Sequence, residues 1–181
     1  MQIIPLIKLK NRQITEESLK GLDKIDEGKT VYIYDLDGIE KDKPDLCIYQ
    51  KLSKKYDIWV DSTPKNLGDV VDIFLTGAVA AIIRKTYFPQ INIESIREIS
   101  ENKVYEYAEE KEILSKADGL IINEDASNFD LAKKYSNQYD VFVYEKNIEN
   151  LSYWINTNIK GLLVDVNKWE EANTWIQKKK S

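Results

Sequence analysis

The chain has 181 residues, of which 43% are hydrophobic and 31% charged, and its formal net charge is −5. This length suits one domain with a sizeable core, and no apolar run approaches the ~20 residues that a membrane-spanning helix needs. The acidic balance argues against nucleic acid, and no export leader is recognised. We therefore expect a single-domain cytoplasmic protein that binds neither nucleic acid nor membrane.

The absence of histidine limits the chemistry that the chain can perform. Histidine is the commonest general base near neutral pH and the commonest ligand of transition metals. Proton transfer must then fall to Lys, Asp, Glu, Tyr or Cys. The single cysteine, Cys47, occupies an apolar position of a helix-like segment, so we expect a buried thiol. We predict no cofactor and no bound metal.

Short apolar runs rich in Ile, Val and Tyr recur along the chain, each followed by a polar turn and an amphipathic segment. This alternation predicts βα units around a parallel sheet. The predicted strands are residues 3–9, 31–35, 58–61, 80–84, 103–107, 119–123, 141–145 and 161–165. Thr15 with Ser18 indicates a helix start, and further helices are predicted at residues 44–55 and 66–76.

Eight such units are the count of a closed (β/α)8 barrel. Barrels of this kind usually need about 200 residues or more, so this one would be compact. The stretch between residues 107 and 119 leaves space for only about two helical turns. An open, doubly wound sheet is the alternative.

The stretch YIYDLDG at residues 32–38 is an apolar strand that ends in two carboxylates and a glycine. It resembles the nucleophile motif of haloacid dehalogenase-like phosphatases, which implies Asp35 as a magnesium-dependent nucleophile. Only one of that family's four motifs is matched, because Ile39 stands where the family has Thr or Val. The acidic sequence GDVVD at residues 68–72 lies inside an amphipathic segment and not after a strand.

A longer stretch, residues 31–88, resembles the second to fourth strands of the isomerase and cyclase barrels of histidine biosynthesis, the phosphoribosylformimino-aminoimidazole carboxamide ribotide isomerase group. The opening IIPLIKLKN at residues 3–11 is similar to that family's first strand, and GLLVD at 161–165 stands where its last strand would be. The resemblance implies a compact (β/α)8 TIM barrel of the ribulose-phosphate-binding type.

The glycine-rich loops that hold two phosphates in that family are missing here. Residues 62–65 read STPK instead of Gly-Gly-x-Arg, residues 84–86 read RKT instead of Gly-Thr, and Asp165 adds a negative charge at the last strand. Side chains could replace the first cradle, so Lys65, Arg84 and Lys85 are candidate anion-binding residues for a small anionic metabolite. Alternatively, Arg84 and Lys85 pair with Asp61 or a neighbouring Glu.

The family's two catalytic aspartates are also replaced. The first falls on Lys8, and the fifth strand offers only Glu106 as a carboxylate, so we expect the family's own isomerase activity to be lost. Lys8 becomes the candidate central group, for example as a Schiff-base former, with Asp35, Asp37 and Asp61 as its carboxylate partners. The alternative is a structural lysine that pairs with Asp35 or Asp37.

Three hypotheses for function remain open from the sequence. The first is an isomerase or lyase that acts on a small metabolite at the C-terminal rim of the barrel. The second is a non-catalytic barrel that serves as an interaction or regulatory subunit, and the third is the magnesium-dependent phosphatase that uses Asp35.

Overall fold

The protein folds as a closed parallel β-barrel surrounded by helices. The computed structural model describes residues 1–85, 91–108, 116–123 and 126–180. Its strands are β1 (Gln2–Lys10), β2 (Gln13–Ile14), β3 (Thr30–Asp35), β4 (Asp57–Asp61), β5 (Ala80–Ile83), β6 (Lys103–Tyr107), β7 (Gly119–Asn123), β8 (Asp140–Tyr144) and β9 (Gly161–Asp165). The strands from β3 to β9 pair in chain order, and β1 pairs in parallel with both β3 and β9. The predicted (β/α)8 barrel is therefore confirmed.

Helices follow the barrel strands and cover the outside of the sheet. They are α1 (Glu16–Leu22), α2 (Leu36–Lys41), α3 (Leu46–Leu52), α4 (Leu67–Leu75), α5 (Ile93–Ile99), α6 (Ala126–Tyr135), α7 (Leu151–Trp154) and α8 (Val166–Lys180). The predicted starts are confirmed for α1 and α4, which are capped by the side chains of Thr15 and Asn66. The predicted short helix between residues 107 and 119 lies largely outside the described residues. Within the described part of the chain, no helix combines the length and apolar character needed to cross a bilayer.

The strands are buried on both faces, as expected for a parallel barrel. One set of alternate side chains fills the barrel interior, and the other set packs against the helices. Three aromatic rings occupy the middle of the interior: the ring centroids of Trp59 lie 4.4 Å from Tyr105 and 4.9 Å from Phe142. Gly119 and Gly161 leave room for these rings, because an added Cβ would lie 3.0 Å from Tyr105 or Phe142.

The secondary structure differs from the sequence predictions at two points. The short strand β2 folds back antiparallel on β1, and α2 begins directly after β3, within the DLDG motif. The glycine of this motif, Gly38, sits so close to the next strand's loop that an added Cβ would lie 2.7 Å from the Cβ of Ser62. The prediction for Cys47 was wrong, since its thiol lies on the exposed face of α3.

Gly21 of α1 forms a close contact with the first turn of α8. An added Cβ would lie 2.8 Å from the carbonyl carbon and oxygen of Val166 and 2.9 Å from the nitrogen of Asn167. Backbone atoms cannot move aside as a flexible side chain can, so Gly21→Ala is expected to lower the free energy of unfolding by about 1–3 kcal/mol. Urea unfolding followed by circular dichroism measures this change.

A second helical glycine provides the control. Gly68 of α4 has only the side-chain oxygen of Asn66 within contact distance, at 3.0 Å. Gly68→Ala should be neutral or stabilising by up to about 1 kcal/mol, because alanine is the better helix former. Equal effects of the two substitutions would contradict the packing explanation.

Candidate functional site

The inner surface of the barrel changes from apolar to polar at the carboxyl ends of the strands. Because side chains alternate along a strand, the residues two positions beyond the buried interior layer also face inward. This polar layer, which we call the mouth, consists of Lys8, Tyr34, Asp61, Arg84, Tyr107, Asn123, Tyr144 and Asp165. Catalytic residues of TIM barrels lie at this end of the strands. The mouth is therefore the candidate functional site.

One side of the mouth holds a buried ion pair. The Arg84 guanidinium donates from Nε to Oδ1 of Asp61 at 2.9 Å and from Nη2 to Oδ2 at 2.6 Å. The side chains are 4% and 0% exposed, and the guanidinium lies 3.6 Å from the centroid of the Tyr107 ring. The predicted alternative for Arg84, a pair with Asp61, is confirmed, and Asp61 is not a partner of Lys8.

Tyr32, one layer below the mouth, completes this cluster. Its hydroxyl donates to Oδ2 of Asp61 at 2.7 Å. Burial, with the adjacent Asp61 charge, holds the pKa of Tyr32 well above its usual range. Burial alone would lower the pKa of Arg84, but the charge of Asp61 and its hydrogen bonds raise it overall. Arg84 therefore stays cationic, and its hydrogen bonds to Asp61 link the end of β5 to β4.

The opposite side of the mouth holds a second pair that remains open to solvent. Nζ of Lys8 lies 2.9 Å from Oδ1 of Asp165, and the side chains are 29% and 23% exposed. The Tyr144 hydroxyl donates to the same oxygen of Asp165 at 3.1 Å. Nζ of Lys8 also lies 5.7 Å from the centroid of the Tyr144 ring. Here a cation, a carboxylate and a phenol meet at an accessible surface.

The predicted pairing of Lys8 with Asp35 or Asp37 was wrong. Asp35 faces away from the barrel interior and accepts hydrogen bonds from the backbone N–H groups of Asp37, Gly38 and Asp45 at 3.0–3.1 Å and from the Tyr49 hydroxyl. Burial raises the pKa of Asp35, although these hydrogen bonds oppose the shift. Asp35 therefore ties β3 to α2 and α3, and neither of its oxygens is placed to attack a ligand in the mouth.

Asp37 lies in α2, outside the mouth. Its carboxylate accepts hydrogen bonds from Nζ of Lys41 at 2.7 Å and from the backbone N–H of Arg12 at 2.9 Å. The hydrogen bond from Lys41 lowers the pKa of Asp37. Asp37 thus links α2 to the β1–β2 turn.

The three predicted anion-binding side chains do not form one cluster. Arg84 is sealed against Asp61, whereas Lys65 forms an ion pair with Asp42 beside a separate cleft of about 250 Å³. The half-buried Lys85 follows Arg84 directly, and residues 86–90 lie outside the described part of the chain.

The fifth barrel strand, β6, contributes a tyrosine to the mouth and no acid. Tyr107 faces inward, whereas Glu106 is buried on the helix-facing side. Glu145 likewise faces away from the interior, and Glu124, another polar strand end, is outside the described residues. Among the residues that the structure describes, no group of three His, Cys, Asp or Glu side chains is arranged to hold a metal ion.

Sequence reasoning placed Tyr144 among the polar strand ends but missed Tyr34, Tyr107 and the partner of Lys8. Tyr34, Tyr107 and Tyr144 are each two residues beyond a buried aromatic residue on the same strand. This repeated spacing was the available signal, because period-two positions share one face of a strand.

A comparison of the fold with known structures supports the barrel type. The chain superposes on the crystal structure of KGPDC from Streptococcus mutans with a TM-score of 0.68 and 10% sequence identity, covering 97% of this chain and 99% of that one. Both chains share the closed (β/α)8 barrel fold. At this level of identity the likeness establishes the fold alone. No protein-family model matches the sequence, and no curated protein matches it significantly.

Proposed function

We propose that this (β/α)8 barrel is an isomerase or lyase of a small carbonyl metabolite, with Lys8 and Asp165 as its acid–base pair. The supporting observation is the contrast between the two ion pairs of the mouth. Arg84 and Asp61 are buried and mutually satisfied, whereas Lys8 and Asp165 are partly exposed while only 2.9 Å apart. A ligand that enters the mouth meets the second pair.

The proposed reaction begins with removal of a proton from the carbon beside the ligand's carbonyl group. The carboxylate of Asp165 takes this proton, and the electrons of the C–H bond move onto the carbonyl oxygen to form an enolate. The ammonium group of Lys8 stabilises the negative oxygen, as an electrostatic donor does at any developing anion. When the carbon that loses its proton carries a hydroxyl group, the proton returns to the former carbonyl carbon and the hydroxyl proton moves to the former carbonyl oxygen. The carbonyl group has then moved to the neighbouring carbon, which completes an isomerisation.

The histidine-biosynthesis isomerase reaction does not fit the same residues. The resemblance places Lys8 where that family has its first aspartate, and the inward-facing residue of β6 is Tyr107. Neither side chain supplies a carboxylate for proton transfer across the mouth. We therefore propose that a different carbonyl substrate has replaced the family's own.

The test is incorporation of solvent deuterium into a panel of small ketoses and keto acids, followed by NMR. Lys8→Met and Asp165→Asn should each lower the exchange rate by about a hundredfold or more, the usual contribution of a general acid or base. Lys160→Met and Asp140→Asn are matched controls, because these residues form another Lys–Asp pair that is about half exposed and 3.4 Å apart at the opposite end of the barrel. They should leave the rate within about twofold.

Absence of exchange with every carbonyl compound, or exchange that survives both mouth substitutions, would overturn the proposal. Circular dichroism of each variant shows whether the fold is retained. Saturable binding without exchange would instead support the non-catalytic barrel, a hypothesis favoured by the fact that Lys8 and Arg84 are both already paired with acids.

A Schiff-base lyase is the second catalytic candidate, favoured by the position of a partly exposed lysine at a strand end. The unprotonated amine of Lys8 would attack a carbonyl carbon and release water to form an imine. Uptake of a proton converts the imine into an iminium, which withdraws electrons from the adjacent bond. Borohydride would reduce this iminium to a stable adduct. Mass spectrometry of the Lys8 peptide therefore separates this route from enolisation.

A further inference from the structure

Phosphate in TIM barrels is frequently bound by the loops after the seventh and eighth barrel strands, with backbone N–H groups at a helix N-terminus. In this chain those strands are β8 and β9. A carboxylate of the protein itself lies at the carboxyl end of each strand: Glu145 directly follows β8, and Asp165 is the last residue of β9.

The connection after β9 has no loop. Asp165 is the last residue of the strand and Val166 is the first residue of α8. The backbone of this first turn packs against Gly21 of α1, where an added Cβ would lie 2.8 Å from Val166 and 2.9 Å from Asn167. Asp165, the residue directly before α8, places a negative charge in the mouth, where Lys8 and Tyr144 contact its carboxylate.

The connection after β8 is organised around a second carboxylate. Glu145 is 2% exposed and accepts hydrogen bonds from the backbone N–H of Asn147 at 2.9 Å, from Nδ2 of Asn150 at 3.2 Å and from Nε1 of Trp154 at 2.9 Å. These donors of the loop therefore serve an internal anion.

The cations near this junction are also engaged. Lys8 pairs with Asp165, Nζ of Lys168 donates to the carbonyl oxygen of Lys146 at 2.7 Å, and Nζ of Lys146 lies 5.5 Å from the centroid of the Tyr144 ring. A phosphate that approached this side would be repelled by the partly exposed carboxylate of Asp165.

We infer that Asp165 is a specificity-determining residue that excludes phosphate from the β8–β9 side of the mouth, so that the ligand is a carbonyl compound without a phosphate group there. The part of this inference that concerns a carbonyl ligand rests on the proposed function. The exclusion of phosphate itself depends only on the carboxylates of Asp165 and Glu145.

The experiment titrates inorganic phosphate into the 15N-labelled protein and follows the backbone amides of residues 165–167 by NMR. The wild-type protein should show no saturable shift up to ~20 mM phosphate. Asp165→Asn, which keeps the size and the Tyr144 contact, should bind phosphate about tenfold more tightly or better, because a like charge a few ångström away is removed. The matched control is Asp57→Asn, since Asp57 is exposed at the start of β4, at the opposite end of the barrel.

Saturable phosphate binding at these amides in the wild-type protein, or an equal gain in both variants, would overturn the inference. The deuterium exchange assay distinguishes this failure from failure of the proposed function. Wild-type phosphate binding together with exchange would overturn the exclusion alone, whereas no exchange and no phosphate binding would overturn the proposed function alone.

Discussion

Replacement of Asp61 by alanine is expected to lower the free energy of unfolding by about 3–5 kcal/mol, which is the usual cost of breaking a buried ion pair by removing one member. The Arg84 side chain is 4% exposed, donates two hydrogen bonds to Asp61 at 2.6 and 2.9 Å, and has its guanidinium 3.6 Å from the centroid of the Tyr107 ring. The Tyr32 hydroxyl would lose its acceptor at the same time. Urea unfolding monitored by circular dichroism measures the loss.

A double substitution separates the cost of an unpaired charge from the value of the pair. Asp61→Leu combined with Arg84→Met replaces both charges with apolar side chains of similar volume, and such replacements are often neutral or stabilising. The double variant should therefore be clearly more stable than Asp61→Ala. If Asp61→Ala alone costs less than about 1 kcal/mol, as for an exposed pair, the buried description of this cluster is wrong.

Stability is expected to fall steeply at alkaline pH because buried tyrosines cannot ionise in the folded state. Burial raises the pKa of Tyr32 and Tyr49, and the neighbouring carboxylates of Asp61 and Asp35 raise it further. In the unfolded chain these phenols lose their protons near pH 10. Above that pH the folded state holds more protons than the unfolded state, so each tyrosine lowers stability by about 1.4 kcal/mol per pH unit until its folded pKa is reached.

The measurement is the pH dependence of urea unfolding between about pH 9 and pH 11. Tyr32→Phe and Tyr49→Phe should each reduce the slope by about one proton, whatever their effect on stability at neutral pH. Tyr153→Phe is the control, because this ring is 65% exposed on α7. An unchanged slope in both buried variants would show that these phenols ionise in the folded protein.

The barrel was predictable from sequence because its strands are short apolar runs separated by polar turns. Every predicted barrel strand is present, with ends that differ by at most one residue. Closure of the sheet into a barrel was harder to predict from the sequence. The pairing of β1 with β9 brings together residues such as Leu6 and Asp165, which no local sequence pattern connects. The same pairing explains why the partner of Lys8 was not found.

The prediction that Asp35 faces the mouth was wrong for a different physical reason. A strand with one solvated face alternates between apolar and polar residues, and that alternation tells the inside from the outside. Residues 31–33 of β3 are all buried, so this signal is absent. Because a shift of one position moves a side chain to the other face, Tyr34 enters the mouth and Asp35 packs among the helices.

The position of β1 between β3 and β9 also has a consequence for the order of folding. Gln2 is in register with Gly161, so the ring cannot shut until nearly the whole chain is present. During synthesis, β1 and β3 can pair early, but the outer edges of the growing sheet keep unpaired backbone groups that invite association with other chains. When β9 pairs with both β1 and β8, the sheet no longer has an unpaired edge strand. This late, long-range step should limit the rate at which the native barrel forms.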